Sequence, residues 1–190
     1  MDLLLAEIVN KGAEVLKNEK TLLYPTDTIW GIGCDATSQE AVAKVFEIKQ
    51  RSESKSLVIL VDSIEMLQKY IPQISKAILE LLSKTTNPTT VIYDNPVGLA
   101  KSVVAQDNTV AVRIVQNEFC RQLIHLFGKP IVSTSANISG NPMPKSFKEI
   151  EQSILDSVDY VVNLQREEVN EKSSTILKVS ENGEIIVLRN

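Results

Sequence analysis

The spacing of hydrophobic residues along the chain alternates between that of helices and that of strands. Residues 3–17 carry apolar side chains three and four positions apart, as on one face of an amphipathic helix. Residues 57–61 form a continuous apolar run, which is typical of a strand buried on both faces, and residues 89–93 are rich in β-branched side chains. The alternation predicts an α/β fold, a twisted, open mixed sheet with helices packed on it.

The same reasoning gives a full set of elements. Helices are predicted over residues 3–17, 37–49, 75–83, 117–127 and 146–156, with a further short helix that begins at Asp62 or Ser63 and ends before Pro72. Strands are predicted over residues 21–26, 57–61, 89–93, 109–114, 130–134, 160–164, 175–179 and 185–188. Residues 95–107 show little periodicity and are predicted to form a loop or a lid.

Short local motifs predict how some of these elements begin and turn. Thr37 and Ser146 each precede a glutamate by three residues, so each is predicted to cap a helix in a capping box. Asn182 and Gly183 separate the last two predicted strands and suit the left-handed positions of a type I′ turn. The final strands are therefore predicted to form an antiparallel hairpin.

Composition narrows the class of protein. The length of 190 residues most simply predicts a single domain over residues 1–190, although two small lobes would also fit, and we expect no second C-terminal domain. A net charge of −4 argues against coating nucleic acid through bulk charge, so an anion site must be a local cluster. Cys34 and Cys120 have neither disulfide-framework nor zinc-site spacing. The first residues do not resemble a signal peptide and no run reaches transmembrane length, which predicts a cytoplasmic protein without a membrane partner.

Two predicted strands end in clusters of small polar side chains. Strand 21–26 leads into Asp27 and Thr28, and strand 130–134 leads into residues 133–141, which are rich in hydroxyl and amide groups. Ordinary turns have a similar composition. However, two such exits are also the expected layout of a ligand crevice at the carboxyl ends of sheet strands.

Positive charge is concentrated just after the first of these loops. Lys49, Arg51 and Lys55 lie within seven positions, at and beyond the end of a predicted helix. Cations there complement the helix dipole, so a purely structural role fits them as well as phosphate binding does. Arg113, within a predicted strand, either pairs with a neighbouring acid or clamps a ligand carboxylate with its guanidinium fork.

Several common catalytic arrangements are absent from the sequence. There is no GxxxxGK[ST] or GxGxxG loop for nucleotide phosphates. His125 is the only histidine and lies within an amphipathic helical pattern, and neither cysteine has a visible activating neighbour. We therefore predict no nucleophile, no general base and no metal-ligand set, and a ligand phosphate would have to be held by side chains.

Five ordered segments resemble, in order and spacing, the motifs of the YrdC-like L-threonylcarbamoyladenylate synthases. They are residues 25–33, 49–51, 110–113, 135–140 and 174–176. The resemblance implies a YrdC-like fold with a large basic crevice and a nucleotidyltransferase that converts L-threonine, bicarbonate or CO2, and ATP into threonylcarbamoyl-adenylate and pyrophosphate. The product would serve threonylcarbamoyladenosine modification of tRNA, with downstream threonylcarbamoyl-transfer enzymes as partners.

The resemblance also implies roles for individual residues. Lys49, Arg51 and Lys55 would stabilise charge on the reacting phosphates as catalytic residues, together with Mg²⁺ carried by ATP. The implied threonine contacts are Thr28, Leu60, Arg113, Ser133 and Ser174. The implied ATP contacts are Arg51, Lys55, Thr109, Ser135, Asn137, Met143 and Arg189.

The sequence departs from the family pattern at three positions in or beside these segments. Trp30 stands where the family commonly has Tyr, Ser52 replaces the usual Pro, and Met143 replaces a residue that is often Ser. Two other hypotheses stay open, the first from the association of this fold with RNA and the second from these departures. One is a double-stranded RNA or tRNA-binding module without turnover, whose binding would depend steeply on salt. The other is a partner-dependent structural subunit that keeps the crevice without the chemistry.

Overall fold

The computed structural model describes residues 3–52, 57–170, 173–179 and 184–190. The strands within these ranges are β1 (Leu22–Tyr24), β2 (Gly31–Gly33), β3 (Val58–Val61), β4 (Thr89–Asp94), β5 (Thr109–Ile114), β6 (Ile131–Ser135), β7 (Tyr160–Val161), β8 (Thr175–Val179) and β9 (Ile185–Arg189). They form one sheet in the order β7-β1-β2-β6-β3-β5-β4-β8-β9. The pairs β1–β7, β3–β5 and β4–β8 are parallel and the others antiparallel, which confirms the predicted mixed sheet.

Helices pack on this sheet and connect its strands. The α-helices of the described ranges are α1 (Leu3–Lys17), α2 (Gln39–Ile48), α3 (Ile64–Tyr70), α4 (Lys76–Lys84), α5 (Glu118–Phe127) and α6 (Gln152–Ser157), with short 3₁₀ helices at Lys101–Val103 and Phe147–Glu149. None of the helices in these ranges has the length and apolar character needed to cross a membrane.

Side-chain alternation in the central strands separates the core from the open face of the sheet. Val110 and Val112 of β5 are buried in the hydrophobic core, whereas Arg113 has the opposite orientation because successive side chains in a strand point to opposite faces. The helices α1 and α5 pack closely, and Gly12 lets Leu123 approach the α1 backbone. The face of Arg113 also contributes Leu60 and Ile131 to the core, so it is polar only in part.

The first strand region differs from the prediction. The predicted strand over 21–26 is shorter, and a strand missed by the sequence patterns, β2, follows it and pairs with both β1 and β6. Glycine has a low strand propensity, so the Gly31-Ile32-Gly33 sequence did not suggest a strand. The structure explains the glycines by close approach, because the Tyr24 ring passes beside Gly33 to donate a hydrogen bond from its hydroxyl to Val132 O at 2.9 Å.

We expect Gly33→Ala to destabilise the fold by about 1–3 kcal/mol, the usual cost of overpacking. A Cβ at position 33 would lie 2.4 Å from Val132 O and 2.6 Å from Tyr24 Cε1, neither of which can move without disturbing the sheet. Urea unfolding measures the effect. Gly12→Ala is the matched control, because its Cβ would meet only the flexible end of Leu123. Equal unfolding midpoints for Gly33→Ala and the wild type would contradict this packing.

The predicted start of α2 is wrong by one residue. Ser38, not Thr37, is the N-cap, and its hydroxyl accepts a hydrogen bond from Ala41 N at 3.2 Å. Thr37 is occupied elsewhere, because both its N–H and its hydroxyl donate to Asp35 Oδ1, at 2.8 and 2.7 Å. The Asp35 side chain thus forms an Asx turn that takes Thr37 out of the capping position.

The predicted continuous helix over 146–156 is also wrong. The chain instead forms the 3₁₀ helix Phe147–Glu149, then an extended Ile150, then α6. Ser146 makes no side-chain cap bond, while the Glu149 carboxylate accepts from Lys145 N at 2.8 Å. The reciprocal bond of a capping box is therefore shifted by one residue and stabilises only a single turn.

Two further predictions concern the C-terminal strands and the segment over 95–107. β8 and β9 pair antiparallel as predicted, although their Asn182-Gly183 turn lies outside the described residues. Residues 95–107 are tied to the body of the protein by backbone bonds from Val97 N to Tyr70 O at 2.8 Å and from Ala100 N to Ala36 O at 3.0 Å. None of these residues lines the cavity described below, and closure of this segment over a ligand stays a prediction.

Candidate active site

A cavity of about 300 Å³ is lined by residues of β2, β3, β5, β6 and β9 and of the loops beside them. Its polar lining combines arginines with small hydroxyls, and its apolar lining comes from Trp30, Met143 and aliphatic residues. The described lining residues are Thr28, Ile29, Trp30, Gly31, Arg51, Leu57, Val58, Arg113, Ser133, Thr134, Ser135, Met143, Ser173, Ser174 and Arg189. Four parts of the chain that sequence analysis singled out thus meet at one cavity: the loop after β1, the end of α2, Arg113 and the end of β6. The C-terminal strand joins them.

Strand register brings these residues together. Gly31 of β2 lies opposite Ser135 of β6, and Val58 of β3 lies opposite Ser133. Opposed residues of paired strands point to the same face of a sheet. The side chain missing at Gly31 matters here, because a Cβ would lie 3.0 Å from Ser133 Oγ. Glycine at this position keeps the Ser133 hydroxyl accessible from the cavity.

Arg113 reaches the cavity from β5 and pairs with a buried carboxylate. Its Nη2 lies 3.2 Å from Asp27 Oδ1, and the two side chains are only 6% and 8% exposed. Arg113 Nε and Asp27 Oδ1 have no well-formed hydrogen bond within the described part of the chain. Asp27 therefore balances the charge of Arg113 without using all of its donors, which leaves guanidinium N–H groups for a ligand anion.

The loop after β1 fixes the Thr28 hydroxyl. Thr26 Oγ1 donates to Ile29 O at 2.7 Å and lies 3.0 Å from Thr28 Oγ1. A hydroxyl has one proton, so Thr28 must be the donor in the bond between the two threonines. Thr28 consequently presents oxygen lone pairs, and no proton, to the cavity.

A second hydroxyl network lies on the other side of the cavity. Thr90 Oγ1 of β4 donates to Ser174 Oγ at 2.9 Å. The Arg189 guanidinium of β9 donates to Ser174 O at 3.0 and 3.2 Å and to Ser174 Oγ at 3.3 Å. The last strand therefore contributes to the cavity wall and fixes the position of Ser174.

Arg51 is directed to the cavity by the way α2 ends. Gln50 adopts a left-handed conformation with φ of 48°, and Arg51 N donates to Phe46 O at 3.0 Å. This left-handed reversal turns the chain out of the helix and over the cavity. Partial burial lowers the pKa of the Arg51 guanidinium, which remains charged because an arginine starts above 12.

Lys49, a predicted catalytic cation, lies behind the cavity lining, with its ammonium 3.4 Å from the hydroxyl of the lining residue Ser135. It is the C-cap of α2, is only 1% exposed, and is not a lining residue of the cavity. Its ammonium donates to Ser135 O, to Asn137 O at 2.8 Å and to Asn137 Oδ1 at 3.2 Å. Burial, and then the nearby charge of Arg51, lowers its pKa to about 8. Lys49 is therefore a clamp that holds the loop after β6 against α2.

Eight of the other predicted site residues line the cavity: Thr28, Arg51, Arg113, Ser133, Ser135, Met143, Ser174 and Arg189. Leu60 is fully buried beneath it, and Asn137 is a buried partner of Lys49 whose amide donates to Asn141 O at 2.6 Å. Thr109 lies at the opposite end of β5 from Arg113, with its hydroxyl donated to Asp107. Lys55 lies outside the described residues.

Three polar residues beside the cavity were not predicted as site residues. Asp27, Thr26 and Thr90 each contact a lining side chain from behind. Asp27 and Thr26 lie in the polar loop that sequence analysis emphasised, so their position was visible although their partners were not. The sequence did not indicate a role for Thr90, because threonine is common in strands rich in β-branched residues.

The wall near Trp30 is supported by stacked rings. The Trp30 and Phe147 rings lie 5.0 Å apart between centroids, and the Arg166 guanidinium lies 4.5 Å from the Phe147 centroid. Tilted aromatic pairs and cation–π contacts of this kind are favourable. The tryptophan thus provides a rigid apolar wall for the cavity.

The remaining nucleophile candidates are not activated. Burial raises the pKa of both the Cys34 and the Cys120 thiols, and Cys120 donates to Pro25 O at 3.2 Å. His125 is exposed on α5 beside Asp62, away from the cavity. In the described ranges no group of three or more His, Cys, Asp or Glu residues could hold a metal ion. The chemistry that these residues support is binding and charge stabilisation.

The chain is similar in sequence to curated proteins that share one name. Threonylcarbamoyl-AMP synthase from Klebsiella pneumoniae is 33% identical over 159 residues, which are 82% of this chain and 84% of the relative. The enzyme of that name from Pseudoalteromonas translucida is 33% identical over 153 residues, 78% of this chain and 81% of the relative. These similarities extend through most of both proteins.

Solved structures and family models agree with these relatives. P. abyssi Sua5 in complex with L-threonine superposes with a TM-score of 0.85 and 26% identity, covering 97% of this chain and 54% of that one, so this chain spans about half of that protein's length. A model of the Sua5, YciO and YrdC family, described as telomere recombination, matches residues 14–190. Because that match covers nearly the whole sequence, the chain belongs to the Sua5/YciO/YrdC family.

Proposed function

We propose that this protein is a threonylcarbamoyl-AMP synthase. It joins L-threonine, bicarbonate or CO2, and ATP to give L-threonylcarbamoyladenylate and pyrophosphate. The observation that carries the proposal is the convergence of Arg51, Arg113 and Arg189 with several hydroxyls on one cavity, in a family whose relatives carry this name. Guanidinium groups match both a carboxylate and the phosphates of a nucleotide.

The lining residues form two groups, one assigned to threonine and one to ATP. Threonine contacts Thr28, Arg113, Ser133 and Ser174, where the cavity offers one guanidinium and three hydroxyls within a rigid sheet. ATP occupies the side formed by Arg51, Ser135, Met143 and Arg189, with Lys55 as a further predicted contact. The complex of P. abyssi Sua5 with L-threonine supports a threonine site in this fold.

The reaction needs positioning more than a nucleophilic side chain. The threonine amine adds to CO2, forming an N–C bond and releasing a proton, and gives an N-carboxylate. One oxygen of that carboxylate then attacks the α-phosphorus, and the bond to the bridging oxygen of pyrophosphate breaks. Negative charge develops on the α-phosphoryl oxygens and on pyrophosphate, so Arg51 and Arg189 are placed to stabilise it.

Magnesium is proposed to enter with ATP as part of the substrate complex. None of the described lining residues is an aspartate or a glutamate. Mg²⁺ commonly binds substrate phosphates together with water and few protein ligands. The cavity donors therefore suit the phosphates of MgATP rather than the metal itself.

Pyrophosphate release from purified protein tests the proposal. We expect release that requires threonine, bicarbonate and ATP together, with threonylcarbamoyl-adenylate as the accompanying product by mass spectrometry. Omission of threonine or bicarbonate is the control. Release that ignores either omission would contradict the proposal, and binding of both ligands without turnover would favour the structural-subunit hypothesis instead.

The product is proposed to supply threonylcarbamoyl groups to downstream enzymes that modify tRNA. Direct contact with tRNA or double-stranded RNA stays a separate prediction, which the net charge of −4 does not favour. Titration of tRNA at several salt concentrations distinguishes the cases, since phosphate contacts give a steep salt dependence. A flat salt response would exclude an RNA-binding role.

A further inference from the structure

The two hydroxyl networks of the cavity have opposite hydrogen-bonding polarity. Thr28 gives its proton to Thr26, because the Thr26 proton is already donated to Ile29 O at 2.7 Å. Ser174 is in the reverse situation, since its Oγ accepts from Thr90 at 2.9 Å and from Arg189 at 3.3 Å. A hydroxyl with both lone pairs occupied can only donate.

The Ser174 proton is therefore available to a ligand. No acceptor in the described part of the chain receives a hydrogen bond from Ser174 Oγ, and Ser174 lines the cavity. Thr90 is almost fully buried, so its hydroxyl holds a fixed geometry behind Ser174. The wall at Ser174 consequently favours an acceptor oxygen of the ligand and disfavours an N–H group.

Arg113 reinforces this polarity from the neighbouring strand. Thr90 and Arg113 are opposed residues of β4 and β5, so the Ser174 donor and the Arg113 guanidinium belong to the same side of the cavity. Both groups offer protons to an anion. The Thr28 lone pairs instead suit an ammonium or hydroxyl group.

We infer that Thr90 is a positioning residue that keeps the Ser174 hydroxyl a donor and thereby orients the amino-acid substrate. The inference rests on the proposed function and deepens it. The substrate carboxylate lies between Arg113 and Ser174, and its amino group lies toward Thr28. Thr90 does not line the cavity and acts only through Ser174.

Binding of two ligands by Thr90→Val tests the inference. Valine has the shape of threonine but no hydroxyl, so Ser174 becomes free to rotate and to accept as well as donate. We expect affinity for L-threonine, measured by calorimetry, to fall about three- to tenfold, the equivalent of one net hydrogen bond. Affinity for L-threonine amide should not fall, because the amide N–H groups gain an acceptor.

Two further variants separate this role from packing. Thr90→Ser keeps the hydroxyl and should restore the wild-type preference for threonine over its amide. Thr89→Val removes a neighbouring buried hydroxyl that donates to Asn87 O at 3.0 Å, and should leave the preference unchanged. Thermal melting of all variants shows whether each is folded.

Each outcome decides between the alternatives. A selectivity ratio in Thr90→Val equal to that of the wild type, or a parallel loss for both ligands, would overturn the role of Thr90 while leaving the proposed function intact. Wild-type protein that does not bind L-threonine at all would overturn the proposed function and this inference with it.

Discussion

Arg113→Met is expected to reduce kcat/KM for threonine by about 10- to 100-fold, the equivalent of losing charge-assisted hydrogen bonds to the substrate carboxylate. The variant should also be less stable by about 3–5 kcal/mol, because Asp27 would remain as a buried carboxylate without its cation. The pair lies 3.2 Å apart and both side chains are almost completely buried. Steady-state pyrophosphate release and urea unfolding measure the two effects.

A double variant separates the two consequences. In Asp27→Asn/Arg113→Met no buried charge is left unpaired, so most of the lost stability should return while activity stays low. Arg121→Met, on the exposed face of α5, is the control for loss of an arginine and should match the wild type. Activity that recovers together with stability would mean that Arg113 is only structural.

The sequence contained enough information to predict the sheet, most helices and the location of the cavity. Ser133 and Ser135 followed from the polar exit of an apolar strand, and Arg113 followed from strand alternation. Both are consequences of a period of two, which depends only on local geometry. Thr109 was implied only by the family resemblance; it shares a face with Arg113, but four residues of strand separate the two by roughly 13 Å.

Contacts between distant segments could not be read from the sequence. No short-range sequence pattern indicates that Asp27 pairs with Arg113. None indicates that Thr90 of β4 contacts Ser174, which directly precedes the neighbouring strand β8. The fate of Lys49 was equally hidden, because the end of a helix offers both a solvent-exposed and an inward direction for a long side chain. The structure chooses the inward direction, where loop oxygens replace water around the ammonium.

Lys49→Met is expected to destabilise the protein by about 2–4 kcal/mol and to remove most activity, although residue 49 does not line the cavity. Methionine fills the space but leaves Ser135 O and Asn137 O buried without a donor, and each such group costs about 1–3 kcal/mol. Lys44→Met is the matched control on the same helix, because Lys44 makes only surface contacts, an ion pair with Glu40 and a hydrogen bond to Glu19 O at 3.3 Å.

The lowered pKa of Lys49 adds a pH dependence to this prediction. An ordinary lysine keeps its proton up to about pH 10.4, whereas Lys49, with a pKa of about 8, loses it as the pH rises through 8. Because burial disfavours the charged ammonium, Lys49 has a lower pKa when buried than when released to water, so the buried position gains stability relative to the released one as the pH rises from about 8 to about 10.

Trp30 makes the titration of Lys49 measurable. It is the only tryptophan, lines the cavity, and accepts a backbone hydrogen bond from Ala136 N of the same loop at 3.2 Å. We expect its fluorescence in the wild type to change with a midpoint near pH 8, and the change to be absent in Lys49→Met and present in Lys44→Met. A transition that persists without Lys49 would assign the titration to another group and remove the basis for a charged clamp.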